Sequence, residues 1–255
     1  MMRTSVKFGT SFRLGPSLST ASALPHLLAA ENPSQPSLIG QSKEELFTSL
    51  TALNLSPAVA QQVWQWIYQQ GAASFSDLRI LSKRNQGLLH EHFAPLDDDT
   101  MVASDRVSVD GTRKWLLQFD PKTTVETVYI PELDPATSHR GVRGSACLSS
   151  QCGCSLACSF CATGTQKRVR NLSSREIVSQ LLVARRRMGD AGRFINGDAP
   201  RHVSNVVMMG QGEPLYNYKN VQKVRISLAL PTVQFYVAFF LAPCFDRCDQ
   251  ISSSQ

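Results

Sequence analysis

Residues 145–161 read SACLSSQCGCSLACSFC, and the fold can be inferred outward from this stretch. Positions 145–149 favour a β-strand, and a loop with C-x-x-x-C-x-x-C spacing follows it. A capping box from Ser173 to Glu176 then predicts a helix, and the run 203–209 favours a buried strand. Strand, loop, helix and strand in this order predict a parallel crossover unit of an α/β sheet.

Two segments of this unit are expected to face one site. In sheets of this kind, ligands bind beyond the carboxyl ends of the parallel strands. The cysteine loop follows the first strand, and Gly210-Gln211-Gly212-Glu213-Pro214 follows the second. We therefore expect these segments to meet at one edge of the sheet although they are distant in sequence.

A small helical domain is predicted before the sheet, over residues 41–98. Its first helix follows a capping box at 42–45, its second follows Ser56 and Pro57, and its third follows Ser82. None of these helices is long enough to persist alone in water, so they are expected to pack on one another.

The predicted second domain, residues 99–220, opens with antiparallel strands. Alternating apolar and polar residues precede Asp110-Gly111, a strong signal for a tight hairpin turn, and the strand 114–119 follows it. A further strand, 125–130, carries the acidic residue Glu126.

Charge and composition narrow the class of protein. The chain has 255 residues, a formal net charge of +6, 42% hydrophobic and 18% charged residues, which is ordinary for a globular protein. The mild positive charge permits RNA binding without proving it. The longest apolar run, 233–241, is too short to span a bilayer, so no transmembrane segment is predicted.

Residues 1–40 are predicted to be a transit peptide, with a disordered tail as the alternative. Their first thirty positions hold Arg3, Lys7 and Arg13, no acidic residue and many Ser and Thr residues, a composition typical of organellar targeting. The expected location is the chloroplast or mitochondrion, and the alternative is the cytoplasm.

The cysteines indicate a metal site. The chain has seven, an odd number, and no secretory signal, so a reducing compartment is favoured over a disulfide framework. Thiolates of Cys154, Cys158 and Cys161 can hold three irons of a 4Fe-4S cluster, and the open fourth iron can chelate S-adenosylmethionine. The alternatives are a structural zinc site completed by Cys152 or Cys147, or uncoordinated buried thiols.

Several separated motifs occur in one order along the chain: Ile130-Pro131, Cys147-Leu148-Ser149-Ser150-Gln151, the cysteine loop, Asn171-Leu172-Ser173, and Val206-Val207-Met208-Met209-Gly210 through Asn217. Together they resemble the RlmN family of radical S-adenosylmethionine RNA methyltransferases. The resemblance covers approximately residues 42–220. It implies methylation of carbon 2 of adenine in ribosomal RNA and, in bacteria, also in transfer RNA. It also implies a partial (β/α) radical-SAM barrel after the helical domain.

The resemblance implies roles for single residues. Glu126 matches the carboxylate proposed to take the proton from adenine carbon 2. Cys147 matches a cysteine that forms a disulfide with a methyl-carrying cysteine and so releases the product. Gly212 and Glu213 match the turn that contacts the methionine end of S-adenosylmethionine. Taken without the resemblance, Glu126 favours a solvent-exposed strand face and Cys147 an ordinary buried thiol.

The implied partners are RNA and an electron donor such as a flavodoxin or ferredoxin, and a monomer is expected. Lys167, Arg168 and Arg170 follow the cysteine loop and are candidates for neutralising RNA phosphates. The arginines at 185–187 are instead predicted to form the solvated end of a helix, where the helix dipole favours positive charge.

The resemblance ends near Asn220, and residues 221–255 are a divergent tail. Neither Cys244 nor Cys248 lies in the family's methyl-carrier context, so neither is assigned that role. We expect a barrel truncated after its second strand, with a non-catalytic iron-sulfur or RNA-binding fragment as the alternative function. Cys152 is a further departure, since the family has a small aliphatic residue there; it would be a spare thiol or interfere with cluster loading.

Overall fold

The structure is a computed structural model that describes residues 35–96, 101–132, 143–154, 156, 158–159, 161–166, 170–190, 202–227 and the backbone of 234–236. All of these residues lie within one compact unit, Glu31–Gln255. The predicted targeting segment before position 35 lies outside the described residues. No helix within the described ranges combines the length and apolarity needed to cross a membrane.

Three α-helices come first, and they are α1 (Lys43–Thr51), α2 (Pro57–Tyr68) and α3 (Lys83–His92). Each begins directly after a serine, as predicted, and Ser42 and Ser56 were predicted as caps. Ser42 and Glu45 form the full capping box, while the hydroxyls of Ser56 and Ser82 accept hydrogen bonds from backbone N–H groups of the first turn. The predicted helical segment before the sheet is confirmed.

A six-stranded sheet follows, and its strands in spatial order are β1 (Val102–Val107), β2 (Arg113–Asp120), β3 (Thr123–Pro131), β4 (Gly144–Cys147), β7 (Val203–Val207) and β8 (Gln234–Tyr236). The first four strands pair antiparallel, and β4, β7 and β8 pair parallel. The β1–β2 hairpin turns at Gly111, whose φ of +83° is readily adopted only by glycine. A second, two-stranded sheet joins β5 (Gln151–Cys152) to β6 (Arg170–Asn171).

The predicted crossover unit is present as β4, α4 (Ser174–Arg187) and β7. A second unit follows, because α5 (Tyr218–Ser227) leads from β7 to β8, which pairs parallel to β7. The α/β fold therefore continues into the segment that the sequence analysis treated as a divergent tail. The buried positions Val221 and Val224 of α5 are too few to predict a helix from periodicity alone.

The two faces of the main sheet differ in what covers them. Helix α4 packs against β2, β3 and β7, and the core residues Val125, Ala146 and Val206 belong to that side. The opposite side carries Glu126, Val128, Cys147 and Val207, and we call it the site face. The register supports this grouping, since Val128 lies opposite Cys147 and Cys147 lies opposite Val207, and paired residues share a face.

The helical segment is held to α4 by Arg185. This side chain is 1% exposed, and its guanidinium donates hydrogen bonds to the backbone carbonyls of Tyr68 and Gln69 at the end of α2. Helix ends leave carbonyls without partners, and the planar guanidinium can bind two of them at once. The prediction of a solvated Arg185 is therefore wrong, because a neighbouring helix end covers it.

Candidate active site

The three cysteines of the predicted cluster loop are free thiols of intermediate exposure. The backbone N–H of Cys161 donates to the carbonyl of Cys158 at 3.1 Å, and that of Gly164 donates to the carbonyl of Cys161 at 2.9 Å. The loop thus makes two successive tight turns. Three of its intervening residues, at 155, 157 and 160, lie outside the described residues.

The donor chemistry of the loop fits an iron-sulfur cluster, because Cys154, Cys158 and Cys161 are thiols outside any disulfide. Over the described ranges, no three or more His, Cys, Asp or Glu side chains are grouped so that they could hold a metal ion.

Hydrogen bonds join the segment before the cysteine loop to the Gly-Glu turn. The backbone N–H groups of Ser150 and Gln151 both donate to the carbonyl of Gln211, at 2.8 and 3.1 Å. In return, the backbone N–H of Glu213 donates to Oε1 of Gln151 at 3.0 Å, across 62 residues of sequence. The structure thus brings the two segments into contact, as the strand-end argument predicted.

The two glycines of this turn are required by close packing. A Cβ at Gly210 would lie 2.7 Å from Oγ of Ser149, and one at Gly212 would lie 2.4 Å from Cβ of Gln151. Gly212 also has a φ of +92°, which side-chain-bearing residues rarely adopt. Packing against the cysteine-loop segment is therefore sufficient to explain both glycines. The role of Gly212 in binding S-adenosylmethionine stays a prediction.

Glu213 starts a short 3-10 turn, Pro214–Asn217, and its carboxylate accepts a hydrogen bond from the backbone N–H of Leu215 at 3.1 Å. At the end of that turn the buried Asn217 side chain donates to the carbonyls of Ser150 and Leu172, each at 2.7 Å. The turn is thereby fixed at both ends against the segments that flank the cysteine loop.

Glu126 and Cys147 lie on the same face of neighbouring strands. Glu126 is two positions before Val128 on β3, and Val128 is the partner of Cys147 on β4. The Glu126 carboxylate is 42% exposed and forms an ion pair with Nζ of Lys114 at 3.0 Å. Cys147 is nearly buried. Burial raises the pKa of its thiol above the ordinary value, and a hydrogen bond with the Met209 backbone opposes the shift.

Arg170 is engaged by acidic side chains. Its guanidinium bonds to the Glu176 carboxylate and lies 3.0 Å from Oδ2 of Asp120. Hydrogen bonding to Glu176 raises the pKa of Arg170. Because two carboxylates already compensate this charge, the structure gives Arg170 a role in joining β2, β6 and α4 rather than in binding phosphate. Lys167 and Arg168, the other candidates for RNA binding, lie outside the described residues.

Cys152 points into the protein core. Its thiol is buried within the main apolar cluster and approaches the carbonyl of Thr124 at 3.9 Å. The thiol therefore fills the space of a small apolar side chain. This placement argues against the zinc alternative in which Cys152 completes a closed site.

The sequence analysis missed Gln180, which lies in the apolar stripe of α4 and is fully buried. Its amide bonds to both the N–H and the carbonyl of Ser149, directly before the cysteine loop. The sequence did contain a signal, a glutamine within the apolar stripe of a predicted helix. Buried polar side chains nearly always have hydrogen-bond partners, so this position indicated a contact with another segment.

This combination of a cysteine loop and a Gly-Glu turn at the end of a partial parallel sheet defines the class of protein. The structure matches the crystal structure of a radical SAM methyltransferase from Sphaerobacter thermophilus with a TM-score of 0.65 and 30% sequence identity. The match covers 79% of this chain and 56% of that chain. The fold is accordingly that of a radical SAM methyltransferase.

Two sequence comparisons identify the family. Residues 37–94 match the family model of the ribosomal RNA large subunit methyltransferase N-terminal domain, RlmN_N. The chain is also 44% identical over 207 residues to the dual-specificity RNA methyltransferases RlmN of Brucella melitensis biotype 2 and Brucella ovis. Those alignments cover 74% of this chain and 47% of each relative. The chain belongs to the RlmN family, as its motifs predicted, and spans about half the length of these relatives.

Proposed function

We propose that this chain serves a radical SAM reaction that methylates carbon 2 of adenine in ribosomal RNA, with transfer RNA as a second substrate class. One observation carries the proposal. The segment that leads directly into a loop with three free thiols is hydrogen-bonded, through Gln151, to the Gly-Glu turn. Glu126 and Cys147 lie on the adjoining site face. The family match adds the RNA substrate, which the relatives' name contains.

Cys154, Cys158 and Cys161 would hold a 4Fe-4S cluster, which supplies the electron for cleavage of S-adenosylmethionine when both are bound. Gly212 would contact the methionine end of that cofactor through its backbone, and its positive φ gives the turn a conformation that side-chain-bearing residues rarely adopt. The Glu213 carboxylate presents acceptor oxygens beside it for the ligand's ammonium group.

Glu126 would take the proton from adenine carbon 2, and the partial exposure of its carboxylate on the site face supports this role. Lys114, at 3.0 Å, holds that carboxylate in place and would have to yield when a base enters. Cys147 keeps its proton on Sγ near neutral pH, because burial raises the pKa of its thiol. By resemblance, its thiolate would attack the sulfur of a methyl-carrying cysteine, forming the S–S bond as the bond from that sulfur to the product's methyl carbon breaks; that carbon takes the electron pair and a proton.

Cluster ligation is tested by anaerobic reconstitution of the full chain with iron and sulfide, with iron counted per chain. We expect the original chain to bind iron and to absorb at about 400 nm, as Fe–S ligation does. Cys158→Ala should lose most of both signals. Cys152→Ala is the matched control, since its thiol lies in the core, and it should load normally. Equal loading of Cys158→Ala and the original chain would contradict the ligand assignment.

The reaction is tested on the reconstituted chain with S-adenosylmethionine, a strong reductant and ribosomal RNA. The products to measure are 5′-deoxyadenosine and methylated adenine, by mass spectrometry. Glu126→Gln should still cleave the cofactor but form less methylated adenine. RNA binding with a steep salt dependence and no cofactor cleavage would instead support a non-catalytic RNA-binding fragment.

Two further proposals concern the electron donor and the cellular location. The electron donor is a flavodoxin or ferredoxin, since the cluster must be reduced by one electron at a time. The location is an organelle, which the Ser-, Thr- and Arg-containing residues 1–40 support. Fusion of residues 1–40 to a fluorescent protein should direct it to chloroplasts or mitochondria, and cytoplasmic fluorescence would contradict this.

A further inference from the structure

Gln180 is buried, and every hydrogen-bonding position of its side-chain amide has a partner. Its Oε1 accepts from Oγ1 of Thr127 at 3.0 Å and from the backbone N–H of Ser149 at 2.8 Å. Its Nε2 donates to the carbonyls of Ser149 at 3.0 Å and Glu176 at 3.2 Å. Two acceptor positions and two donor hydrogens are thus satisfied. The amide pairs with the Ser149 backbone as a neighbouring strand would, at a point where β4 has ended.

The hydroxyl of Ser149, which Gln180 holds in place, forms hydrogen bonds with two further segments. The fully buried Oγ donates to the backbone carbonyl of Glu126 at 2.7 Å and accepts from the backbone N–H of Gln211 at 2.9 Å. Gly210 packs so closely against the same oxygen that an added Cβ would lie 2.7 Å from it. One hydroxyl therefore connects β3, the segment before the cysteine loop and the Gly-Glu turn.

These contacts join parts of the site that lie far apart in the sequence. The Glu126 carbonyl lies on β3, Gln211 lies in the turn, and the cysteine loop begins a few residues after Ser149. A shift of Ser149 would move the turn relative to the loop and would release the backbone at Glu126. Catalytic sites lose function through displacements of about 1 Å, so such a link has consequences for cofactor and substrate placement.

We propose that Ser149 and Gln180 are positioning residues: Gln180 fixes Ser149, and Ser149 sets the distance between the cysteine loop, the Gly-Glu turn and the strand that carries Glu126. Neither residue needs to touch the cofactor or the RNA. This inference rests on the proposed function for its catalytic meaning, while the hydrogen-bond network itself can be tested without any cofactor.

The first test is Ser149→Ala in the full chain, with Ser227→Ala as the matched control. Ser227 is also buried, but its hydroxyl donates to the Lys223 carbonyl within its own helix. Loss of the Ser149 hydroxyl should speed hydrogen exchange of the Gln211 amide by about tenfold, the effect of one lost hydrogen bond. It should also weaken S-adenosylmethionine binding to the reconstituted chain by about tenfold, with unchanged iron content. Ser227→Ala should change neither quantity.

The second test uses Gln180→Glu and Gln180→Met, with Gln86→Met as the control. Gln86 is a buried helix glutamine whose amide donates to the Leu78 and Leu81 carbonyls, away from the site. Once ionised, the carboxyl group introduced by Gln180→Glu cannot donate to the Ser149 carbonyl, and burial raises the pH at which it ionises. A protonated one can, so exchange protection at Gln211 should recover in Gln180→Glu as the pH falls. Gln180→Met should show no such recovery, and Gln86→Met should leave Gln211 protection unchanged.

The other ionisable groups near position 180 are the same in all variants, so they cannot cause a difference between the variants in their response to pH. Glu176, which Arg170 binds, lies on α4 itself. Helix α4 packs against β2, β3, β7 and α5, and the ionisable side chains of these elements are Arg113, Lys114, Asp120, Glu126, Tyr129, Tyr218, Lys219, Lys223 and Arg225. Because they are present in Gln180→Met as well, any pH response limited to Gln180→Glu belongs to the new carboxyl group.

The outcomes distinguish a failure of this inference from a failure of the proposed function. If the original chain takes up no cluster, the proposed function fails, but the exchange measurements still test the network. Unchanged Gln211 exchange in Ser149→Ala, or no acid recovery in Gln180→Glu, would overturn the network. Faster exchange with unaltered cofactor affinity in a loaded chain would overturn the positioning role.

Discussion

Replacing Arg185 by Met tests how the helical segment is held against the sheet domain. The guanidinium binds the carbonyls of Tyr68 and Gln69, and the residue is 1% exposed. Met has a similar length but donates no hydrogen bond, so both carbonyls lose a charged donor. Hydrogen bonds from charged groups contribute about 1.5–3 kcal/mol each, and removal of the buried charge offsets part of the loss. We expect the free energy of unfolding to fall by about 2–4 kcal/mol.

The measurement is urea unfolding of the full chain, read by circular dichroism at equilibrium. Arg187→Met is the matched control, because that side chain is 31% exposed and its guanidinium lies 3.6 Å from the Asp105 carboxylate. This ion pair is partly exposed and long, and Asp105 keeps its 2.7 Å pair with Arg113, so the control should lose less than about 1 kcal/mol. A loss below about 0.5 kcal/mol in Arg185→Met, the range of neutral surface substitutions, would refute the assigned role. An equal loss in both variants would do the same.

Three further predictions concern pH and backbone strain. Alkylation of Cys147 by iodoacetamide should rise with pH only above the range of an unfolded-chain cysteine, since burial raises the pKa of its thiol; an identical profile in urea would contradict this. Burial alone would raise the pKa of Glu176, but hydrogen bonds from Arg170 and Ser173 hold it below its ordinary value of 4.5. That contribution to stability is present above pH 4.5 and is lost as the pH falls through the lower folded-state pKa, so urea titrations of Glu176→Gln should show a smaller acid-induced loss. Gly212→Ala should destabilise the chain by about 1–3 kcal/mol in the same titrations, because an alanine there has an unfavourable φ and meets Gln151; unchanged stability would show that the turn relaxes freely.

The elements of the fold that the sequence predicted are those fixed by near neighbours. The capping boxes at Ser42 and Ser173 satisfy N–H groups three positions away, and the hairpin turn at Gly111 depends on a single positive φ. These signals require no partner from elsewhere in the chain. The cysteine spacing of the loop is local in the same sense, and the strand-end rule was sufficient to predict contact between the Gly-Glu turn and the segment that leads into the loop.

Other features depended on what each side chain meets after folding. Arg185 and Gln180 both lie on α4, yet one binds the end of α2 and the other binds the turn after β4. Cys152 belongs to the core rather than to the cysteine loop beside it. Sequence spacing determined the helices, the turns and the donor set of the loop, because these arise within a few residues. Only the tertiary structure decided which polar side chains are buried and which segments they join, because their hydrogen-bond partners come from distant parts of the chain.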